Sequence, residues 1–440
     1  MHIQILQVVK HRKIRSNKDT NGGYGTVNDF GRGMVAVFLK YLKSKSMRFP
    51  EILPAYVRAI LKRQGHFVTY AQNKLDPNAD IVLLQTSIIN FYEELGWVDR
   101  INRMNPRIKV GFMGGMAMGN PQKYMNRGDF VIVGEIENAL LNGDIANFSG
   151  LVDAGKVENL DSLPFPDWSH ILKWKGGYGL IRTSRGRFLP MLSSRGCPMT
   201  CSYYCTYPLV QGKVFRARTP ENVVEEIEYL QKQYDMTTVM FRDPIFSLKM
   251  ERIENICELI LKKGLAFSWI CETHSRFLTS DLASLMARAG CVSIKLGIES
   301  GDLEVMKKSN RAAPDLIYQE EIVRCLEKQG IDVLAFYVLG YFDDMERTIL
   351  KTIEYAKHLN TYGAQFTIAT PYPGTQWYKD LSGNPDKFSL DENLENYTQY
   401  HLVYNHPHLS SNDLEHMKSL AYRRYYMRWA YLMKHFLKRL

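Results

Sequence analysis

Ser194-Arg195-Gly196-Cys197-Pro198-Met199-Thr200-Cys201-Ser202-Tyr203-Tyr204-Cys205 places three cysteines within nine residues. The chain has seven cysteines in all, and Cys257, Cys271, Cys291 and Cys325 are scattered singly. Three clustered thiols are one short of a closed tetrahedral zinc site, which wants four ligands. They are equally one short of the four thiolates that usually hold a cubane iron–sulfur cluster. Three thiolates on one loop would leave one iron open to a small ligand, and an open metal position is where chemistry happens. Gly196 and Pro198 force a tight path, in which backbone N–H groups can hydrogen-bond to the sulfides. The blander readings are a zinc site completed by a distant histidine, or three unrelated buried cysteines.

Working outward, the loop follows the first strand pattern of a repeating series. Strand patterns fall at Leu189–Ser193, Thr238–Phe241, Phe267–Cys271, Val292–Ile298, Val333–Leu339 and Gln365–Ala369. Helical patterns separate them at Glu221–Tyr234, Ile253–Lys263, Ser280–Ala289, Asp315–Gln329 and Thr348–Leu359. Six strands with intervening helices predict a partial (β/α)6 TIM-type barrel over 189–380. Polar residues recur where its strands end: Asp243, Glu272 with His274, and Glu299-Ser300. Chemistry in such barrels sits at the C-terminal ends of the strands, the face on which the cysteine loop falls.

Residues 1–145 alternate in the same way. Ile3–Val9, His66–Ala71, Ile81–Gln85, Lys109–Met113 and Phe130–Val133 read as strands, with helices at Pro50–Gln64 and Leu95–Met104. This rhythm predicts a doubly wound parallel sheet of the flavodoxin or Rossmann type. Ligands of such sheets sit beyond the strands' carboxyl ends, at the switch point. The loops there contain Gly22-Gly23-Tyr24-Gly25-Thr26, Thr86-Ser87, Gly114-Gly115 and Gly134-Glu135. Glycines that merely make turns are the plain alternative. Residues 146–188, with Pro164 and Pro166 among turn formers, read as a linker. Residues 381–440 read as a helical C-terminal region.

The bulk numbers agree with an ordinary globular protein. A length of 440 residues allows roughly three domains or fewer. Hydrophobic content of 45% and charged content of 23% are those of an ordinary soluble protein. No apolar run long enough to span a membrane is present, and the start, Met1-His2-Ile3-Gln4-Ile5-Leu6, reads as a strand rather than an export signal. Few, unevenly spread cysteines then suit a reducing cytoplasm. The net charge of +10 permits anionic partners without demanding them. The tail, Tyr422-Arg423-Arg424-Tyr425-Tyr426-Met427-Arg428-Trp429 and then Lys434-His435-Phe436-Leu437-Lys438-Arg439-Leu440, is basic and aromatic. It reads either as a helix docked on the barrel or as an interfacial amphipathic helix at the inner face of the membrane.

Several ordered motifs now resemble one family, the radical S-adenosylmethionine (SAM) enzymes, and within it the subgroup with an N-terminal cobalamin-binding domain. Ser194-Arg195-Gly196-Cys197-Pro198 resembles the approach to its cluster, and Phe241-Arg242-Asp243-Pro244-Ile245-Phe246 its second-strand motif. Gly297-Ile298-Glu299-Ser300-Gly301, Val338-Leu339-Gly340 and Pro371-Tyr372-Pro373-Gly374-Thr375 resemble its fourth, fifth and sixth. The resemblance implies a [4Fe-4S] cluster on Cys197, Cys201 and Cys205, with SAM on the open iron. It implies SAM contacts from Tyr204, Asp243, Glu272, Glu299, Ser300, Gly340 and Pro371. It further implies cobalamin against Gly23, Tyr24, Gly25, Thr26, Thr86, Ser87, Gly114, Gly115, Gly134 and Glu135. The expected activity is reductive cleavage of SAM and functionalisation of an unactivated carbon, by methyl transfer or rearrangement, in a small or lipid-like substrate. An electron donor such as flavodoxin or ferredoxin is expected; a nucleic acid is not.

Two departures from the family pattern stand out. The second cysteine gap holds three residues, Ser202, Tyr203 and Tyr204, where two are usual, so the loop is expected to bulge by one. Residues 1–145 also lack the Asp-x-His-x-x-Gly motif whose histidine ligates cobalt. The rival readings are a radical SAM enzyme without cobalamin and a zinc-stabilised nucleic-acid-binding protein.

Overall fold

The computed structural model describes all residues except 11–16, 28, 49, 173–176, 179–186, 312–314 and 437–440. The end of the basic tail, Leu437–Leu440, therefore lies outside the described residues. Two six-stranded parallel sheets dominate the rest. In the first, β1 (His2–Gln7), β2 (Phe67–Gln72), β3 (Ile81–Gln85), β4 (Lys109–Met113), β5 (Phe130–Gly134) and β6 (Gly150–Gly155) lie in the order β2-β1-β3-β4-β5-β6. Ile3 pairs with Val68 on one side and Ile81 on the other, so β1 flanks the switch point. All five residues of β3 are buried, as expected of a central parallel strand covered on both faces. The helices α1 (Met34–Ser46), α2 (Ile52–Arg63), α3 (Phe91–Met104) and α4 (Ile136–Asn142) accompany this sheet.

Two elements here were not visible in the sequence. β6 lies within the stretch read as a linker; it is largely exposed at the sheet edge, so it lacks the apolar run that marks a strand. α1 presents Met34, Val37, Phe38 and Tyr41 to solvent, which obscures the usual inward-facing pattern.

The second sheet contains β7 (Arg187–Met191), β8 (Met236–Phe241), β9 (Ser268–Thr273), β10 (Cys291–Glu299), β11 (Asp332–Leu339) and β12 (Gly363–Ile368). Its order is sequential, β12-β11-β10-β9-β8-β7, with every pairing parallel. Between these strands run α5 (Pro220–Tyr234), α6 (Met250–Lys262), α7 (Ser280–Arg288), α8 (Leu316–Lys328) and α9 (Glu346–Leu359). This is the expected half-barrel.

The tail forms α10 (Ser411–Tyr426), started by a capping box between Ser410 and Asp413. It docks on β12, the open edge of the half-barrel. Tyr422 Oη lies 3.0 Å from the Phe366 N–H and 3.1 Å from its carbonyl. Tyr426 Oη lies 2.9 Å from the Ala364 N–H and 2.8 Å from its carbonyl. Four residues of helix rise about 6 Å, and two residues of strand about 6.7 Å, so tyrosines at i and i+4 match alternate edge residues. The helix thus covers backbone groups that an edge strand would otherwise expose. No helix among the described residues is long and apolar enough to cross a membrane.

Candidate active site between the two sheets

The cysteine loop leaves β7 through a two-residue ladder in which Ser194 and Arg195 pair with Ala217 and Arg216. Gly196 has φ +87°, and a Cβ there would lie 1.9 Å from the Val214 carbonyl oxygen, so only glycine fits. The Cys197 N–H donates to the Gly212 carbonyl at 3.0 Å. A short 3₁₀ turn, Thr200–Tyr203, then carries Cys201, and the Cys205 N–H donates to the Cys201 carbonyl at 3.0 Å. The expected one-residue bulge is therefore a helical turn. The longer gap puts Cys201 and Cys205 four residues apart, on the same side of that turn.

Cys197 and Cys201 are buried and Cys205 is half-buried. The Cys205 thiol donates to Cys201, and Arg311 stands beside it, so Cys201 is brought down to about 6 against its burial. Cys205 is correspondingly pushed up, by that hydrogen bond and by burial. Burial raises Cys197, whose charge is also felt by Cys205. Among the described residues no three His, Cys, Asp or Glu side chains already converge on one point as a metal site. The thiols are nonetheless neighbours on one loop, with an arginine beside them.

That arginine was missed by the sequence reading. Arg311 Nη1 donates to Cys201 Sγ at 3.5 Å, and Nη2 lies 3.1 Å from Glu299 Oε1. Glu299 ends β10 at φ +72°, a left-handed conformation that costs a non-glycine residue free energy. The Tyr341 hydroxyl donates to Glu299 Oε2 at 3.1 Å and also lies 3.2 Å from the Tyr204 hydroxyl. Cys201, Arg311, Glu299, Tyr341 and Tyr204 therefore form one connected set at the C-terminal ends of β10 and β11. Nothing in the sequence links Arg311 to a cysteine 110 residues earlier.

The other residues expected to contact SAM occupy different settings. Asp243 is fully buried, accepting from Ser193 N–H at 2.8 Å and from the Ser193 and Ser194 hydroxyls at 2.6 and 2.5 Å. Burial raises its pKa against those bonds, and its visible work is to fix the start of the cysteine loop. Glu272 lies between Arg242 Nη1 at 2.7 Å and Lys295 at 2.8 Å, and the two cations hold it below the usual carboxylate range despite burial. The Ser300 hydroxyl meets Thr352 at 3.0 Å. Gly340, at φ +77°, donates its N–H to Asp344. Pro371 is buried between β12 and the next helical turn. His274 caps the turn after β9 by accepting from the Arg276 N–H.

A cleft open to solvent lies between the carboxyl ends of the two sheets. The first sheet contributes Asp19, Gly22, Gly23, Gln85, Gly114, Gly115, Gly134 and Glu135 to its wall. The second contributes Leu192, Arg195, Tyr207, Val210, Gln211 and Arg242. Of the residues expected to hold cobalamin, Gly23, Gly114, Gly115, Gly134 and Glu135 line this space. Tyr24, Gly25, Thr26, Thr86 and Ser87 do not. Tyr24 is buried with its hydroxyl on the Pro373 carbonyl at 2.7 Å. A Cβ on Gly25 would press against Ile89. Thr26 donates to the Thr398 carbonyl, Thr86 to that of Met113, and Ser87 to Glu94. Gly23 and Gly115 let two loops meet, since a Cβ on Gly115 would lie 2.7 Å from Gly23 C. Gln85 Oε1 is buried in this region without a hydrogen-bond partner. No histidine lines the cavity among the described residues.

Comparison with known proteins finds likenesses in sequence and in fold. Residues 191–357 match the family model of the Radical SAM superfamily. An uncharacterized methyltransferase of Pyrococcus horikoshii is 29% identical over 281 residues, covering 63% of this chain and 59% of that protein. Bacteriochlorophyllide d C-12(1)-methyltransferase of Chlorobaculum tepidum is 27% identical, covering 62% of this chain and 59% of its own length. The chain thus matches about six-tenths of the length of these relatives. Among solved structures, the radical SAM methyltransferase TsrM of Kitasatospora setae, with cobalamin and a [4Fe-4S] cluster bound, superposes with TM-score 0.61. The match has 14% identity and covers 89% of this chain and 80% of that one. The cobalamin-dependent SAM radical enzyme OxsB, with aqua-cobalamin and SAM bound, gives TM-score 0.66 at 12% identity, over 95% and 66%. These two likenesses establish the fold.

Proposed function

Residues 191–357 of this chain form a radical SAM domain, and from that premise we propose that the protein cleaves SAM reductively and methylates an unactivated carbon with cobalamin as carrier. The observation that carries the reading is sequential as well as spatial: the three cysteines are flanked by Arg195 and Tyr207, both walls of the cavity between the sheets. Groups held by the loop and by the cavity would be neighbours in one cleft.

The donor set suits an iron–sulfur cluster. Cys197, Cys201 and Cys205 would hold it, and one thiol is already eased towards thiolate. When bound, a [4Fe-4S] cluster with one open iron supplies the electron that splits SAM into methionine and a 5′-deoxyadenosyl radical. Arg311 and Glu299 present a cation and an anion beside Cys201, suited to the carboxylate and amino groups of a methionine moiety. The Tyr204 and Tyr341 rings meet edge to face with centroids 5.6 Å apart and wall that region from water.

The cavity suits a large, amide-rich ring. Gly22, Gly23, Gly114 and Gly115 bring bare backbone to its wall, it lies at the switch point of a doubly wound sheet, and Gln85 offers an unused acceptor. Cobalamin bound there would supply a methyl-carrying cobalt without a histidine from the described lining. The substrate would be a small molecule entering the same cleft, and a one-electron donor protein would reduce the cluster. The relative named for a bacteriochlorophyllide makes a macrocyclic substrate the first class to try.

The test is anaerobic turnover with candidate substrates while following two products. Methyl transfer predicts 5′-deoxyadenosine and S-adenosylhomocysteine together. 5′-Deoxyadenosine alone would overturn methyl transfer in favour of oxidation or rearrangement, and the absence of both products would overturn the proposal.

A further inference from the structure

Four buried charges bridge the two sheets where the cavity meets the cysteine loop. Arg195 Nη2 lies 2.7 Å from Glu137 Oε1 and Arg195 Nη1 lies 3.1 Å from Glu135 Oε2. Arg216 Nη2 lies 2.6 Å from Glu135 Oε1, and Arg216 Nη1 lies 3.0 Å from Glu135 Oε2. The four side chains are at most 6% exposed. Both glutamates belong to the first sheet, at the start of α4, and both arginines belong to the ladder that carries the cysteine loop. The set is charge-neutral, as buried ion clusters must nearly be. The two glutamates hold Arg195 firmly charged despite burial.

Position gives this cluster a use beyond stability. Glu135, Glu137 and Arg195 all line the cavity. Arg195 is two residues before Cys197. The intervening Gly196 donates its N–H to Gln211 Oε1 at 3.2 Å, and Gln211 is itself a cavity wall. Arg216 also binds the Gln211 carbonyl at 2.9 Å. A ligand in the cavity therefore touches the side chains that hold the backbone at Cys197, with no intervening layer. Packed interiors pass such displacements on because they have little free volume.

We infer that Arg195, anchored by Glu135 and Glu137, is a positioning residue that reports occupancy of the cavity to the first cysteine of the loop. The inference rests on the proposed cluster and corrin sites. Filling the cavity re-sets the Arg195–Glu137 pair and, through Gly196, the orientation of Cys197. The cluster environment then differs between protein with and without cavity ligand, so the two sites are energetically coupled.

The experiment uses the full chain, reconstituted anaerobically with iron and sulfide and reduced with dithionite, with and without hydroxocobalamin. Cobalt(II) corrin formed under dithionite is itself paramagnetic, so its signal is recorded at a temperature where the fast-relaxing reduced cluster is silent and subtracted, and the remaining electron paramagnetic resonance spectrum reads the cluster. Iron content and the visible corrin spectrum check each site separately; absence of either in the parent protein would count against the proposed function instead. The expected result is a shift of the reduced-cluster g values on adding hydroxocobalamin, lost in Glu137→Gln and in Gln211→Leu when both carry corrin. Glu137→Gln keeps the side-chain shape, and Gln211→Leu cuts the second handle without touching the ion cluster. No shift in the corrin-loaded parent would overturn the inference. So would a shift persisting in both variants, because it would mean a direct through-space effect of the corrin.

Discussion

Cys201 and Arg311 show how far single residues can be read from the chain. The cysteine triplet was legible because three thiols in one short loop have few bland explanations. Its geometry was less so: the third residue in the second gap makes a helical turn instead of a bulge, visible only through the Cys205 N–H bond to Cys201. Arg311 carried no signal, because its meaning depends on the approach of β10 to the loop. Two outcomes follow at this scale. Cys201→Ala should remove stable iron and abolish reductive SAM cleavage; cleavage retained in the purified variant would refute the cluster assignment. Arg311→Ala should remove the guanidinium partner of the mostly buried Glu299 side chain, lowering stability by about 3 kcal/mol. Urea unfolding of the metal-free protein checks this, and Arg311→Lys should recover part of the loss.

At the scale of elements, strands and helices with clean apolar periodicity were found within a few residues, whereas two largely exposed elements, β6 and α1, were not. β6 reads as linker because a half-exposed edge strand needs little apolar sequence. The tail's tyrosines were visible as an aromatic series, but their use was not: Tyr422 and Tyr426 serve the free backbone groups of Phe366 and Ala364. This pairing accounts for Tyr422 and Tyr426 by docking, whereas Trp429 stays exposed. Tyr426→Phe should leave two backbone groups of β12 without their partner and cost about 1–3 kcal/mol, read as a lower unfolding midpoint. The glycine loops were predicted as a ligand cradle, and about half of the named residues line the cavity. The others, such as Tyr24 and Thr86, turn away into the protein's own hydrogen bonds, a choice that depends on side-chain direction rather than loop position. Gly115→Ala would force its Cβ against the Gly23 backbone. It should reduce hydroxocobalamin uptake, measured by the visible spectrum, while leaving iron content near that of the parent.

Over the whole molecule, the two parallel sheets point their carboxyl ends at one another, and the polar interior between them sets the pH response. Burial, then the Asp19 charge, raises Glu51 from its ordinary 4.5 to about 8. Burial raises Asp19 from 3.8 to about 6. Between the unfolded and folded values the native state binds more protons, so stability must fall as pH rises. The loss begins near pH 4 and is complete only above pH 8. Urea unfolding midpoints should therefore be higher at pH 5 than at pH 8, and Glu51→Gln should flatten that slope by raising stability at pH 8. A slope unchanged in the variant would remove Glu51 from the account. The arrangement of the sheets also decides function, since it brings a three-thiol loop and a glycine-lined cavity to one cleft. Metal and corrin analysis of the same anaerobically reconstituted sample tests that claim most directly. The account predicts about four iron per chain together with a bound-corrin spectrum that survives gel filtration. Zinc in place of iron, or an iron-loaded protein that never retains corrin, would contradict it.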